Sequence, residues 1–143
     1  SATERDELDR LMGIFERSPW AARRPIDVER EIHLPFDGQV IICKIDAVYR
    51  IESDSGVERF QVVDWKTGKG PKDRADLEEK QLQLALYRLA YARWAGIDPS
   101  AIDAVFYFVS EDRIVTPERI FDEAELVALW REALGRPGKS QAD

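Results

Sequence analysis

One cysteine, one histidine and one methionine stand among the 143 residues. The lone Cys43 excludes a disulfide framework, a four-cysteine zinc site and an iron–sulfur cluster held by this chain alone. Long apolar runs are missing too. Charges interrupt every hydrophobic stretch well before membrane-spanning length, and no basic segment followed by an apolar one opens the chain. A cationic excess is also missing: Lys and Arg number 21 against 28 Asp and Glu, for a formal net charge of -7. Phosphate binding is driven largely by Lys and Arg, so the total taken as an average argues against a nucleic-acid partner. The charge is segregated, however. Between Trp65 and Arg74, the cations Lys66, Lys69, Lys72 and Arg74 face one carboxylate, Asp73. What remains is ordinary globular make-up, 44% hydrophobic and 34% charged, with 4 Trp, 4 Tyr and 6 Phe to bury a core. The expectation is one soluble, cytoplasmic domain over residues 1–143, without a membrane partner, ending in a flexible tail at 135–143. A start at Ser1 reads as a piece excised from a longer protein.

Residues Thr3 to Arg17 carry Leu8, Leu11, Met12 and Phe15 at helical spacing, with Thr3 as a cap, and Ser18-Pro19 ends that helix. From Asp27 the period becomes two. Val28, Arg30, Ile32 and Leu34 fall on one face, and Glu29, Glu31 and His33 on the other. Asp37-Gly38 between apolar runs predicts a tight hairpin. The run Gln39 to Glu52 and the run Val57 to Lys66, joined across Ser53-Asp54-Ser55-Gly56, complete an antiparallel three-strand meander. A helix follows from Asp73 to Ala95, stopped by Gly96, with apolar residues on more than one face. Asp103 to Ser110 predicts a strand, Arg113 to Phe121 its return, and Asp122 to Leu134 a last helix capped by Asp122. The order predicts an α/β (α+β) domain, a central mixed sheet flanked by helices.

Along the second strand, alternation puts Val40, Ile42, Lys44, Asp46 and Val48 on one face. A carboxylate among apolar neighbours is expensive unless it is paired or binds a cation. Asp64 and Lys66 share a face of the third strand, roughly 6.6 Å apart along it. Neighbouring strands lie about 4.8 Å apart, so Asp46 and Asp64 are within reach of one cation with Lys66 beside it. Carboxylate oxygens suit Mg²⁺ or Mn²⁺ rather than zinc. Such a metal with an adjacent ammonium predicts phosphodiester hydrolysis. Gln83 and Tyr87, at i and i+4, share one face of the central helix; Gln83 is placed to reach the metal water or a phosphate, and Tyr87 to stack on a base or brace the site.

Lys44-Ile45-Asp46-Ala47-Val48, Val62-Val63-Asp64-Trp65-Lys66-Thr67-Gly68 and Gln83-Leu84-Ala85-Leu86-Tyr87 resemble, in that order, the RecB-type nuclease domain of the PD-(D/E)xK superfamily. Such domains sit at the C-terminus of superfamily 1 DNA helicases. The resemblance runs from about Val28 to Val109. It implies a restriction-endonuclease-like core and Mg²⁺- or Mn²⁺-dependent DNA cleavage of the exonuclease type. Asp46 and Asp64 would be metal ligands, joined by the backbone carbonyl of Trp65, with Lys66 as the catalytic lysine and Gln83 and Tyr87 lining the site. It also implies a linked ATP-dependent helicase motor, single-stranded DNA and a partner subunit as partners, and a role in DNA end processing and recombinational repair. Two features depart from the family pattern: Cys43 stands where a Gly is usual, and no His or Glu on a helix before the meander matches the family's further ligand, which is expected upstream of Ser1.

Other residues read more plainly. His33 is an edge-strand residue facing solvent, and Cys43 a small buried apolar side chain. Glu29 and Glu31 are edge charges that discourage strand pairing between chains, and Trp20, Trp94 and Trp130 are core or interface anchors. Gly68-Lys69-Gly70-Pro71-Lys72 lacks the Gly-Lys-Ser/Thr of a phosphate-binding loop. It reads instead as a basic loop in which Lys69, Lys72 and Arg74 contact the DNA backbone. The alternative functions are a noncutting nuclease fold that guides DNA or docks a partner subunit, and a free-standing phosphodiesterase of small nucleotides.

Overall fold

In the computed structural model, residues 2–51, 55–117 and 121–134 are described. Five strands form one sheet in the order β1-β2-β3-β4-β5, where β1 is Asp27–Phe36, β2 Gln39–Ile51, β3 Arg59–Lys66, β4 Ile102–Phe108 and β5 Arg113–Val115. The first three strands pair antiparallel, β3 and β4 pair parallel, and β5 returns antiparallel to β4. Helix α1 (Ala2–Glu16) packs on one face of the sheet, and α2 (Arg74–Ala95) and α3 (Glu123–Leu134) on the other. This is the expected α+β architecture with a mixed sheet.

Local chemistry accounts for the boundaries. Asp37 and Gly38 are both left-handed, at φ 50° and 75°, the pairing a two-residue primed hairpin turn requires. Arg131 of α3 grips the Asp37 carboxylate at 2.5 and 2.8 Å. Parallel strands need a long crossover, and α2 supplies it. Asp73 caps its start by accepting from the Asp76 N–H at 2.9 Å, and left-handed Gly96 closes its end. Asp122 caps α3 through the Glu125 N–H at 2.8 Å.

The larger core lies between the sheet and α2–α3, built on Ile32, Leu34, Ile45, Val62, Leu84 and Phe106. A smaller, aromatic core lies under α1. There Trp20 meets Tyr49, Trp65 and Tyr107 at centroid distances of 5.2 to 6.0 Å, and the Arg23 guanidinium covers Trp20 and Tyr49.

Four expectations need correction. Thr3 lies inside α1, and Leu8 and Met12 are exposed while Leu11, Ile14 and Phe15 face the core; the helix packs through a stripe rotated by one step. The return strand expected from Arg113 to Phe121 is three residues long, Arg113–Val115; Thr116 and Pro117 are not strand, and residues 118–120 lie outside the described residues. Of the two places expected for Trp94, core or interface, the core is excluded, since it is half exposed under the Arg30 guanidinium. The strict alternation expected of β1 and β2 fails at their middle. Cys43 and Ile45 face α2 and so does Val48, three positions on, while Val40, Ile42 and Lys44 are exposed and Ala47 and Tyr49 face α1. Glu52 to Asp54 and the tail at 135–143 lie outside the described residues. Among the described residues no helix is long and apolar enough to cross a membrane.

Candidate metal and catalytic site

Asp46 has a ladder partner on neither side. The β1–β2 register runs through Val28↔Ala47 and Arg30↔Ile45, and the β2–β3 register begins at Ala47↔Val63. Extending the two registers puts Glu29 opposite Asp46 on one side and Asp64 opposite it on the other. The strands part there, and the Asp46 carboxylate fills the gap, its Oδ2 accepting the backbone N–H of Trp65 at 2.8 Å. Asp64 follows Phe60 and Val62 on the face of β3 that looks toward α2. The convergence of Asp46 and Asp64 expected from the sequence is therefore present.

Electrostatics at this point are unusual. Asp64 is buried, and desolvation, followed by its side-chain contact with Asp46, raises its pKa to about 7 despite the opposing pull of Lys66. The Lys66 Nζ lies 3.2 Å from Asp64 Oδ2, but off the direction a hydrogen bond needs, so that oxygen is buried with no hydrogen-bond partner. The Lys66 ammonium also lies 5.4 Å from the centroid of the Phe106 ring. From α2, the Gln83 Nε2 donates to the Tyr87 hydroxyl at 3.0 Å, both side chains being buried. Burial first and the nearby Asp64 second push Tyr87 up to about 12, which sets the helix motif beside the carboxylates. Cys43 is fully buried, its thiol raised to about 11 by desolvation; it behaves as the small apolar residue its surroundings suggest.

This donor set fits a hard divalent cation. Two carboxylates in contact repel one another, and a buried carboxylate oxygen lacking a donor is costly; a cation at that spot relieves both. Among the described residues no group of three or more His, Cys, Asp or Glu gathers there. His33 is exposed beside Glu31 at 3.2 Å, on the edge strand.

The basic loop leaves β3 directly after Lys66. Lys69, Lys72 and Arg74 are all exposed, with Arg74 3.4 Å from Glu78. Glu111 accepts from the Gly70 N–H, and the Ser110 hydroxyl donates to the Gly68 carbonyl at 3.1 Å. The turn after β4 thus holds the loop. No pattern in the sequence marks Glu111 for this work, because it lies 41 positions from Gly70.

The family model described as the PD-(D/E)XK nuclease superfamily matches residues 1–139. The chain belongs to that superfamily. PD-(D/E)XK proteins are generally nucleases and typically use divalent metals. A solved structure titled "Crystal structure of SSO0001" is similar to the chain at 21% identity and a TM-score of 0.41, with 92% of this chain covered. The chain spans 57% of that protein's length. No curated protein matches.

Proposed function

We propose that this PD-(D/E)XK domain is a RecB-type, divalent-metal-dependent deoxyribonuclease that hydrolyses phosphodiester bonds in single-stranded DNA. The observation that carries the reading is the meeting of Asp46, Asp64 and Lys66 at one point, faced by Gln83 and Tyr87 from α2.

Asp46 and Asp64 would hold Mg²⁺ or Mn²⁺, and the Trp65 carbonyl completes the set. A strand residue's N–H and C=O point to the same neighbouring strand. The Trp65 N–H points at Asp46, so its carbonyl opens on the same gap. The metal, when bound, supplies charge neutralisation at the phosphate and lowers the pKa of water. Lys66, held between Asp64 and the Phe106 ring, orients the attacking water and stabilises negative charge developing on the phosphoryl oxygens. Gln83 and Tyr87 brace the carboxylates from above, and Lys69, Lys72 and Arg74 hold the DNA backbone beyond the site. The acidic total of the chain implies weak DNA binding by this domain alone. That supports a linked helicase motor as the source of most of the grip, in a helicase–nuclease that processes DNA ends for recombinational repair.

A second reading is favoured by one observation, the lack of a third ligating side chain among the described residues: a nuclease fold that guides DNA without cutting it. Mn²⁺-dependent degradation of single-stranded DNA by the chain and by Lys66→Ala separates the two. Loss of activity by about 100-fold or more in the variant supports the enzyme. Equal activity in both sinks the role given to Lys66, and activity in neither, with DNA still bound, supports the guiding module.

A further inference from the structure

We propose that Glu29 is a positioning residue of this site: its left-handed backbone breaks the β1–β2 ladder opposite Asp46 and turns the Asp46 carboxylate toward Asp64. The inference rests on the reading that Asp46 holds the cation.

Side chains on a strand alternate between faces. Val40, Ile42 and Lys44 are exposed, and Cys43 and Ile45 pack toward α2. Continued alternation from Ile45 would turn Asp46 to the face opposite α2, away from Asp64, which shares the α2 face with Phe60 and Val62. Val48, three positions after Ile45, again packs toward α2, so one departure from alternation lies between them. The first strand carries a matching departure. The Asp27 carboxylate accepts from the Tyr91 hydroxyl of α2 at 2.8 Å, and Arg30, three positions on, covers Trp94 of α2 at 4.2 Å.

The two departures oppose each other. The register is the same on both sides of the break, and Glu29 and Asp46 are the pair it skips. Of these two, Glu29 has the left-handed backbone, at φ 47°. For a residue with a Cβ that conformation is strained, and such strain persists only where the surroundings over-determine it. Here the flanks are held. Arg30 bonds Asp27 at 2.8 Å across the strained residue, and both are tied to α2. The Glu29 side chain itself is exposed. Its contribution is therefore the backbone conformation, not the carboxylate.

The test compares Glu29→Gly, Glu29→Gln and Glu29→Val in the chain. Its readouts are the Trp65 backbone amide signal by NMR, whose proton is bonded by Asp46, and the affinity for Mn²⁺ by calorimetry. Gly and Gln are expected to leave the Trp65 amide in place and Mn²⁺ affinity within about twofold, whereas Val, β-branched and averse to φ > 0, shifts the amide and weakens Mn²⁺ by about tenfold or more. If Glu29→Val does not fold, Glu29→Ala is compared with Glu29→Gly by the same two readouts, with a smaller shift in the same direction expected. An unmoved Trp65 amide in the Val and Ala variants overturns the proposal, as does a loss in Glu29→Gln equal to that in Glu29→Val. If the amide responds as expected while the unsubstituted chain binds no Mn²⁺, the positioning role stands and the metal-site reading fails.

Discussion

The Asp46 carboxylate accepts the backbone N–H of Trp65 across the gap where β2 and β3 part, at 2.8 Å. One oxygen thus substitutes for a missing rung of the ladder, while the carboxylate stays in contact with Asp64. Asp46→Asn keeps an acceptor for that N–H and removes the charge; it is expected to fold normally and to lose Mn²⁺ binding by calorimetry. Asp46→Ala leaves the N–H without its acceptor and should cost about 1–3 kcal/mol in urea unfolding. Mn²⁺ affinity unchanged in the Asn variant would remove Asp46 from the ligand set.

Asp64 carries a stability cost in the metal-free chain. Its folded pKa, about 7, lies above the ordinary 3.8, so the folded state binds more protons than the unfolded one between those values. That contribution to stability is fully present below about pH 4 and is lost as pH rises through about 7. With chelator present, Asp64→Asn should be more stable than the unsubstituted chain at pH 8, by about 1–2 kcal/mol, and should lose the advantage at pH 4. Urea midpoints at the two pH values measure this, and a variant less stable at pH 8 would contradict it.

Lys69 and Lys72 are exposed on a loop pinned by Glu111 and Ser110. Replacing both by Ala should weaken single-stranded DNA evenly across sequences. The slope of log K against log salt should fall by about 0.7 for each phosphate contact removed. Fluorescence anisotropy over a salt series reads that slope, and an unchanged slope would place the DNA backbone elsewhere.

Cys43 has no exposure, and burial raises its thiol to about 11. Thiolate is the reactive form, so labelling by a disulfide reagent at pH 8 should be slow and should track unfolding as urea is added. Rapid labelling of the native chain would show that the layer between β2 and α2 opens.

Much of the domain was legible along the chain because the signals are local. Asp37-Gly38 announced its turn, since both residue types tolerate φ > 0, and Asp73 and Gly96 bounded α2 for equally local reasons. The shared face of Asp64 and Lys66 follows from a strand period that holds throughout β3. The face of Asp46 did not follow in that way. Nothing at Glu29 advertises a left-handed residue, because a Gly or Asn is absent there, and strict alternation grouped Asp46 both with Lys44, Ile42 and Val40, which turn to solvent, and with Val48, which packs toward α2. The rotated stripe of α1 was illegible for a similar reason: Leu8, Leu11, Met12 and Phe15 satisfy helical spacing equally well, and only packing against Trp65 and Trp20 selects among them.

By itself, then, the sequence determined the element order and the succession of Asp46, Asp64-Trp65-Lys66 and Gln83–Tyr87, because each depends on near neighbours in the chain. Tertiary structure alone decided that burial and contact with Asp46 raise the pKa of Asp64, and that Glu29 stands opposite Asp46. Those depend on strand register and burial, which arise between segments distant in sequence, where no local pattern reaches.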